Sequence, residues 1–539
     1  MGRLRRGISP LSRLVSPIEA HDAQINAVLL FDVTNPSVLV CANAKKQSRV
    51  QFQWSRFSST GDMVNGAKSG CCGSGGPGYA SPADAIKGPK EKVLFVTCPS
   101  LDKTRGDVIA SVDVDPTSES YGKVIGKVEF PNKGDEVHHT GWNACSSCYT
   151  DPSAKRSHLV APCLHSSRVY FVDTADPKNL KLAKILEPKD MLKFDVSFPH
   201  TSHCLADGNI MISTLGDAKG NGKGSFLLLD GKTFEPNKIW ESPDSVSPQF
   251  NYDFWYQPRR NVMISTEWGS PNFIKGGFNP AHVAEGHYGN KVHVFDWKEH
   301  KLLQSIELPG PEGWIPLEVR FLHEPTSPLA FVGTALGSGV FLFHKGPEDS
   351  EYKSTLVASV PPKKVSGWAL PEMPALITDI LVSMNDKYLY ISCWLHGDLR
   401  QYDISDPFHP KLTGQVFLGG SIHKESGVTV TEDKELKEQP EARYVKGKKV
   451  CGAPQMLQLS LDGKRLYVTT SLYSVWDKQF YPEMGEKGAM MLQLDVDVEN
   501  GGMKLNEDYL VDFAEELGAP YLGHEMRYPG GDCTSDIWI

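Results

Sequence analysis

From about Gly70 to the last residue, short apolar runs alternate with polar turns, and almost no segment repeats its apolar residues at helical spacing. One phrase recurs: an apolar strand ending in Asp, a polar turn, then a second strand. VYFVDTADPKNLKLAKIL, FLLLDGKTFEPNKIW, VHVFDWKEHKLLQSIEL and LRQYDISDPFHPKLTGQVFL are examples. The marker aspartates are Asp113, Asp173, Asp230, Asp296, Asp403 and Asp495, separated by 60, 57, 66, 107 and 92 residues. The long fourth gap holds a degenerate copy, GVFLFHKGPEDSEYKSTLVASV, with His344 in place of the aspartate. That makes seven units. A second strand phrase precedes each (HLVAPCL, NIMISTL, NVMISTEW, LAFVGTAL, YLYISCWL, RLYVTTSL, KVLFVTC), and a third, further upstream, opens most of them.

Three recognisable strands and a return strand, repeated seven times at a period of roughly 60, predict an all-β fold, a seven-bladed β-propeller of WD40-like architecture. Each blade is a twisted sheet that buries its faces only against its neighbours. The marker aspartates are expected to cap the turn between third and fourth strands, where Asx geometry suits a tight reversal. The charged stretch His423 to Lys449 falls between a fourth strand and the next first strand, so it reads as a surface loop insertion. HEMRYPGGDCTSDIWI returns to strand character and is predicted to close the ring against the first blade. Residues 1–66 look unlike the rest and are set apart as an amino-terminal extension, disordered or targeting, leaving 67–539 as the propeller domain.

In a propeller the first strand of each blade lines the central channel, and the loops entering it share a face with those leaving the second strand. Counting back seven residues from the turn after the first strand lands on His200, Asp253, Glu318, Asp379 and Gln455. Carboxylates crowded round an axis repel one another, so a cation, or a shared proton or water network, is implied there. His139 begins the first strand of its blade, His396 lies in the turn after a second strand, and His524 lies in the closing segment. His203 follows His200 by three residues and, on a regular strand, points to the opposite face.

The stretch EVHHTGWNACSSC, Glu136 to Cys148, invites a zinc reading. However, adjacent histidines on a strand face opposite ways and the spacing lacks a finger's long arm. A redox Cys145–Cys148 pair lacks the helix amino terminus that usually activates a Cys-x-x-Cys. The preferred reading splits the motif: one or both histidines serve as metal ligands at the mouth, and the cysteines shape the following turn. Imidazole-rich sites suit copper, zinc or iron, and ligands drawn from different blades leave a position open for substrate and dioxygen. GDAKGNGKG lacks P-loop spacing and reads as a loop at the mouth.

The composition of the 539 residues, 40% hydrophobic and 22% charged, is that of an ordinary globular protein. A net charge of -9 and no basic stripe interleaved with aromatics argue against nucleic acid as a partner. No apolar run approaches 18 residues, so no transmembrane segment is expected. The odd count of 11 scattered cysteines favours a reducing compartment. The opening MGRLRRGISPLSRL carries four arginines and no acid, as mitochondrial presequences do.

The phrases GPGYASPADAIKGP, HHTGWNACSSC, FPHTSHCLADGNIMISTLGDAKGNGKGSFLLLDG, WLHGDLRQYDISDP and RYPGGDCTSDIWI closely resemble the selenium-binding protein family, whose members include methanethiol oxidases. The resemblance runs from about Gly70 to Ile539. It implies a seven-bladed propeller and a copper-dependent oxidation in which methanethiol, dioxygen and water become formaldehyde, hydrogen sulfide and hydrogen peroxide. Carried onto this chain, the implied metal residues are His138, His139, His200, His203, His396 and His524. Asp379 or Glu318 is expected to accept a proton. Vertebrate members carry a cysteine, linked with selenium binding, where SYGK here gives Gly122, and a Cys-x-x-Cys near the family's amino terminus reads CCGSGG, which weakens the case for selenium. The rival expectation is a non-enzymatic propeller in selenium handling or intra-Golgi transport. The expected location is the cytosol, with the nucleus, a peripheral membrane association and mitochondria as further places.

Overall fold

The computed structural model describes residues 75–539; the basic opening segment, the 66/67 boundary and Cys71 and Cys72 of CCGSGG lie outside them. Seven four-stranded antiparallel sheets form among the described residues. In chain order the second blade is Gly141–Trp142, His158–Pro162, Val169–Asp173 and Lys181–Leu186, and the third is Ser197–Cys204, Asn209–Gly216, Gly222–Asp230 and Pro236–Ile239. The fourth begins at Phe254–Gln257, the fifth at Pro316–Phe321, the sixth at Ile377–Val382 and the seventh at Leu457–Leu459. The first blade is completed from the far end of the chain: Met526–Arg527 pairs antiparallel with Val93–Cys98, ahead of Gly106–Asp113 and Val124–Lys133. The ring therefore closes as the closing segment predicts.

Burial explains why the inner strands read as continuous apolar runs and the outer ones do not. A blade is covered on both faces by its neighbours, so strands such as Ile377–Val382 and Tyr388–Cys393 are buried at every position. The return strands at the rim, Lys181–Leu186 and Lys411–Phe417 among them, carry exposed lysines instead. Each seam has its own apolar layer: Phe95, Trp142 and Tyr170 fill that between the first and second blades, and Phe331, Ile380 and Ile391 that between the fifth and sixth. Each such buried side chain contributes about 1.5–3 kcal/mol relative to exposure.

The marker aspartates cap their turns. Asp173 accepts from the amide of Ala175, Asp230 from those of Lys232 and Thr233, Asp296 from those of Lys298 and Glu299, and Asp403 from that of Ser405. In the seventh blade the duty passes from Asp495 to Asp497, which takes the amides of Glu499 and Asn500. The 423–449 insertion is more ordered than a bare loop. Its Thr429–Glu432 joins Lys363–Ser366 and Glu372–Met373 in a small sheet, pinned by the buried pair Lys363–Asp433 at 2.7 Å.

Two insertions bear on the mouth. The fourth blade inserts Pro271–Ile274 and Pro280–Ala284 between its second and third strands, and the seventh inserts the helix Ser474–Phe480 at the equivalent place. They clasp reciprocally: the Phe278 amide donates to Gln479 Oε1 at 2.8 Å and Gln479 Nε2 donates to the Phe278 carbonyl at 2.8 Å. The predicted mouth loop joins this rim, since the Gly220 carbonyl accepts from the Asn272 amide.

Candidate metal centre

His138 and His139 lie in an irregular segment between the Val137 bridge and the strand Gly141–Trp142. Glu136 enters that segment with a φ of 60°, and its carboxylate accepts from the Ser474 amide (2.9 Å) and hydroxyl (2.5 Å). The alternation of side chains on a regular strand therefore does not apply. The two rings stack on the same side, with centroids 5.0 Å apart, which corrects the expectation that they diverge. Both belong to the cluster.

His524 arrives from the closing strand. Its amide donates to the Thr97 carbonyl at 2.9 Å and its own carbonyl accepts from Thr469 Oγ1 at 2.6 Å, so neighbouring blades fix its backbone. Its ring stacks 3.8 Å from that of His138. Nδ1 donates to the Ser471 carbonyl at 2.9 Å, which selects the tautomer whose Nε2 lone pair points inward. His200, on the inner strand of the third blade, lies 4.0 Å from His139 and 5.2 Å from His138 between ring centroids. Its Nδ1 is 2.9 Å from Thr201 Oγ1.

Ligand atoms of His138, His139 and His524 lie within 4.8 Å of one another. One nitrogen of each of the four imidazoles is buried without a hydrogen-bond partner: Nδ1 of His138 and Nε2 of His139, His200 and His524. Burial, and the other histidines, hold His138 and His139 well below the usual imidazole range. Burial brings His200 down to about 3 and His524 to about 4. The rings are therefore neutral near pH 7, with lone pairs available.

Two of the expected metal residues stand apart. A register shift between Pro199 and Ser202 turns the inner strand of the third blade, and the His203 ring points into Phe254, Trp255 and Tyr256 instead of the cluster. His396 donates from Nε2 to the Met373 carbonyl at 3.1 Å, and its charged neighbours are Asp398, Lys363 and Arg400 of the sixth blade region. Neither makes a ring contact with another histidine.

Deeper along the same inner strands lies the polar ring that register predicts, and the implied cation is Arg320. It reaches Asp253 at 2.6 Å, Glu318 at 2.8 Å and Asp379 at 3.8 Å. One guanidinium cannot hold three ionised carboxylates. Arg320 and the Val319 amide (3.0 Å) keep Asp253 below the usual range despite its burial. Burial and the charge on Asp253 push Glu318 well up, and burial raises Asp379 to about 7. A second pair went unread in the sequence: Arg527 with Glu525 at 2.5 Å, the carboxyl raised by burial to about 7. The signal was present as Glu-x-Arg twice, Glu318–Arg320 and Glu525–Arg527, a spacing that puts both side chains on one face of a strand.

His139 connects the two layers, its Nε2 3.8 Å from Glu318 and its Nδ1 3.5 Å from Glu525. Asp379 sits a step further away, bonded to the Leu457 amide at 2.7 Å, with no imidazole beside it. Of the two expected proton acceptors, Glu318 is therefore at the centre and Asp379 supports Arg320. Aromatic rings wall the other side: Tyr252 lies 3.9 Å from His200, Trp268 5.5 Å from Tyr252, and Tyr473 edge-on to His138 at 6.2 Å. Tyr473 is held by His165 at 2.5 Å.

Fold and site together define a class: a seven-bladed propeller whose axis carries converging imidazoles drawn from separate blades, an arrangement that fits a metal cofactor. The chain belongs to the selenium-binding protein family, matching the family model of the 56 kDa selenium-binding protein over residues 73–539. It is 57% identical to the methanethiol oxidase of Homo sapiens over 474 residues, 87% of this chain and 99% of that one. It is 55% identical to the methanethiol oxidase of Mus musculus, with the same coverage. Among solved structures it resembles a hypothetical selenium-binding protein from Sulfolobus tokodaii, with a TM-score of 0.75 and 38% identity, covering 86% of this chain and 98% of that one. Gly122, which stands where the resemblance implies a cysteine, takes a φ of 74°. It offers no sulfur.

Proposed function

We propose that this protein is a copper-dependent methanethiol oxidase, converting methanethiol, dioxygen and water to formaldehyde, hydrogen sulfide and hydrogen peroxide. The observation that carries the reading is the convergence of four buried, neutral imidazoles, neighbouring rings 3.8 to 5.2 Å apart and one nitrogen of each without a partner. An unsatisfied buried polar atom costs roughly 1–3 kcal/mol, so four together are better explained by a ligand than by packing. His138, His139, His200 and His524 would hold the metal. Soft and borderline cations suit imidazole, and bound copper would supply redox chemistry toward dioxygen and an affinity for thiolate sulfur.

The chain's own groups supply the rest. The rings of Tyr252, Trp268 and Tyr473 wall one side of the imidazoles and would keep bulk water from the reacting carbon. Oxidising methanethiol by two electrons also removes two protons. Glu525, 3.5 Å from His139 and raised to about 7, would take up and return one of them, and Glu318, kept protonated by burial and the charge on Asp253, would give a proton where one is needed. Arg320 and Arg527 hold those carboxyls in place. The eight cysteines of the described residues are all free, which supports a reducing compartment such as the cytosol. No helix among the described residues is long and apolar enough to cross a membrane.

The test is hydrogen sulfide release from methanethiol by the purified protein, metal-free, copper-loaded and chelated. Release that follows copper is the expected result. No release from protein carrying one copper per chain would overturn the reading.

A further inference from the structure

Three thiols that the metal centre does not use meet at the seam between the second and third blades. Cys145 and Cys148 bracket the turn Ser146–Cys148, and Cys204 ends the inner strand Ser197–Cys204. The Ser147 hydroxyl sits among them, 3.3 Å from Cys145 Sγ, 3.8 Å from Cys148 Sγ and 3.7 Å from Cys204 Sγ. None is in a disulfide. Cys148 is the outermost, 5% exposed against 1% for Cys145 and 2% for Cys204. Next to Cys204, a cavity of about 250 Å³ is lined by Leu205, Asn209, Trp240 and Tyr256.

A shared metal ion does not fit these sulfurs. Among the described residues the three-ligand group is His138, His139 and His524, and the three sulfurs form no such group. Two sulfurs from different blades on either side of one hydroxyl are instead placed to meet by side-chain rotation. We propose that Cys148 and Cys204 form a reversible, hydroperoxide-driven disulfide that staples the second blade to the third.

The chemistry balances with hydrogen peroxide as the oxidant. The Cys148 thiolate attacks one peroxide oxygen; the S–O bond forms as the O–O bond breaks, and the departing hydroxide takes a proton to leave as water. The Cys204 sulfur then attacks the sulfenic sulfur. The S–S bond forms, the S–O bond breaks, and the Cys204 proton leaves with the second water. Two thiols and one peroxide become one disulfide and two waters, with two electrons passing from sulfur to oxygen. The order of attack follows from the surroundings: hydrogen bonds from Cys204 and then Ser147 bring the Cys148 thiol down to about 6 against its burial, while burial pushes Cys204 well up. The proposed oxidase reaction makes the same peroxide within this molecule, but the thiol pair requires only that a hydroperoxide be present.

The test treats the purified full chain with hydrogen peroxide, alkylates the remaining thiols in denaturant and maps linked peptides by mass spectrometry. The Cys148 and Cys204 peptides are expected joined, lighter by two hydrogens, and released by dithiothreitol. In Cys204→Ser, peroxide is expected to leave Cys148 as a sulfenic acid that dimedone traps. A Cys145–Cys148 link, a link from Cys148 to any other cysteine, or both sulfurs still open to alkylation after peroxide would overturn the proposal. The map is read on the unsubstituted chain, so it does not depend on the variant folding.

Discussion

Two layers of buried polar groups share the axis of this propeller, and they differ in what sits beside each charge-bearing group. In the deeper one each carboxylate has a cation or an amide: Asp253 and Glu318 share Arg320, Glu525 has Arg527 and Thr140, and Asp379 has Leu457. In the layer nearer the mouth, four imidazoles keep one nitrogen each unpaired. Buried charge without a partner is unaffordable, so each deeper carboxyl keeps a cation or an amide beside it, and of these only Glu318 and Glu525 also face His139. A neutral imidazole with a free lone pair costs far less to bury, and it can then give that lone pair to something from outside. The contrast separates the part of the axis that holds the ring together from the part that binds.

The sharpest way to break this comparison is to remove a ligand. His138→Ala and His524→Ala should each drop copper stoichiometry well below one per chain. Each should cut hydrogen sulfide release by more than the roughly 10–100-fold expected from losing a supporting hydrogen bond. His203→Ala and His396→Ala, outside the cluster, should keep both. Elemental analysis beside a sulfide assay reads the outcome. Full copper in His524→Ala would mean that the mouth is not where the metal sits.

The deeper layer should fail differently. Arg320→Met leaves three carboxyls without their cation, and breaking a buried pair from one side typically costs about 3–5 kcal/mol. Urea unfolding should show that loss in metal-free protein. A change below about 1 kcal/mol would show the ring to be hydrated, screened by water rather than by Arg320.

Much of this was legible in the chain, and the limits are instructive. The repeat count, the inner-strand register of His200, Asp253, Glu318 and Asp379, and the closing role of Met526–Arg527 follow from period-two and period-sixty patterns, which are local properties. The co-facing of His138 and His139 was not legible, because it depends on Glu136 leaving the strand conformation to reach Ser474, more than three hundred residues away. His203 and His396 look like their neighbours in sequence. A register shift turns His203 toward Phe254, Trp255 and Tyr256, and His396 stands beside Met373 and Asp398 with no other imidazole in ring contact; neither placement leaves a compositional trace. Arg320 itself is not legible, since crowded carboxylates imply a cation or a shared proton or water network without saying which, or which blade provides it.

The smallest expected effect separates the layers by the sign of their proton linkage. The slope of unfolding free energy with pH follows the protons bound by the unfolded chain minus those bound by the native one. His524, brought to about 4, is bare in the native protein between about pH 4 and 6.5 but protonated when unfolded, so it makes stability rise with pH. Asp379, raised to about 7, is protonated in the native protein and ionised when unfolded over the same window, so it makes stability fall with pH. Each term is about 1.4 kcal/mol per pH unit. In metal-free protein, His524→Asn should therefore lower the slope between pH 5 and 6.5 by about that amount and Asp379→Asn should raise it, read from urea midpoints at four pH values. If both variants moved the slope the same way, the two layers would titrate as one network and the division between support and site would fail.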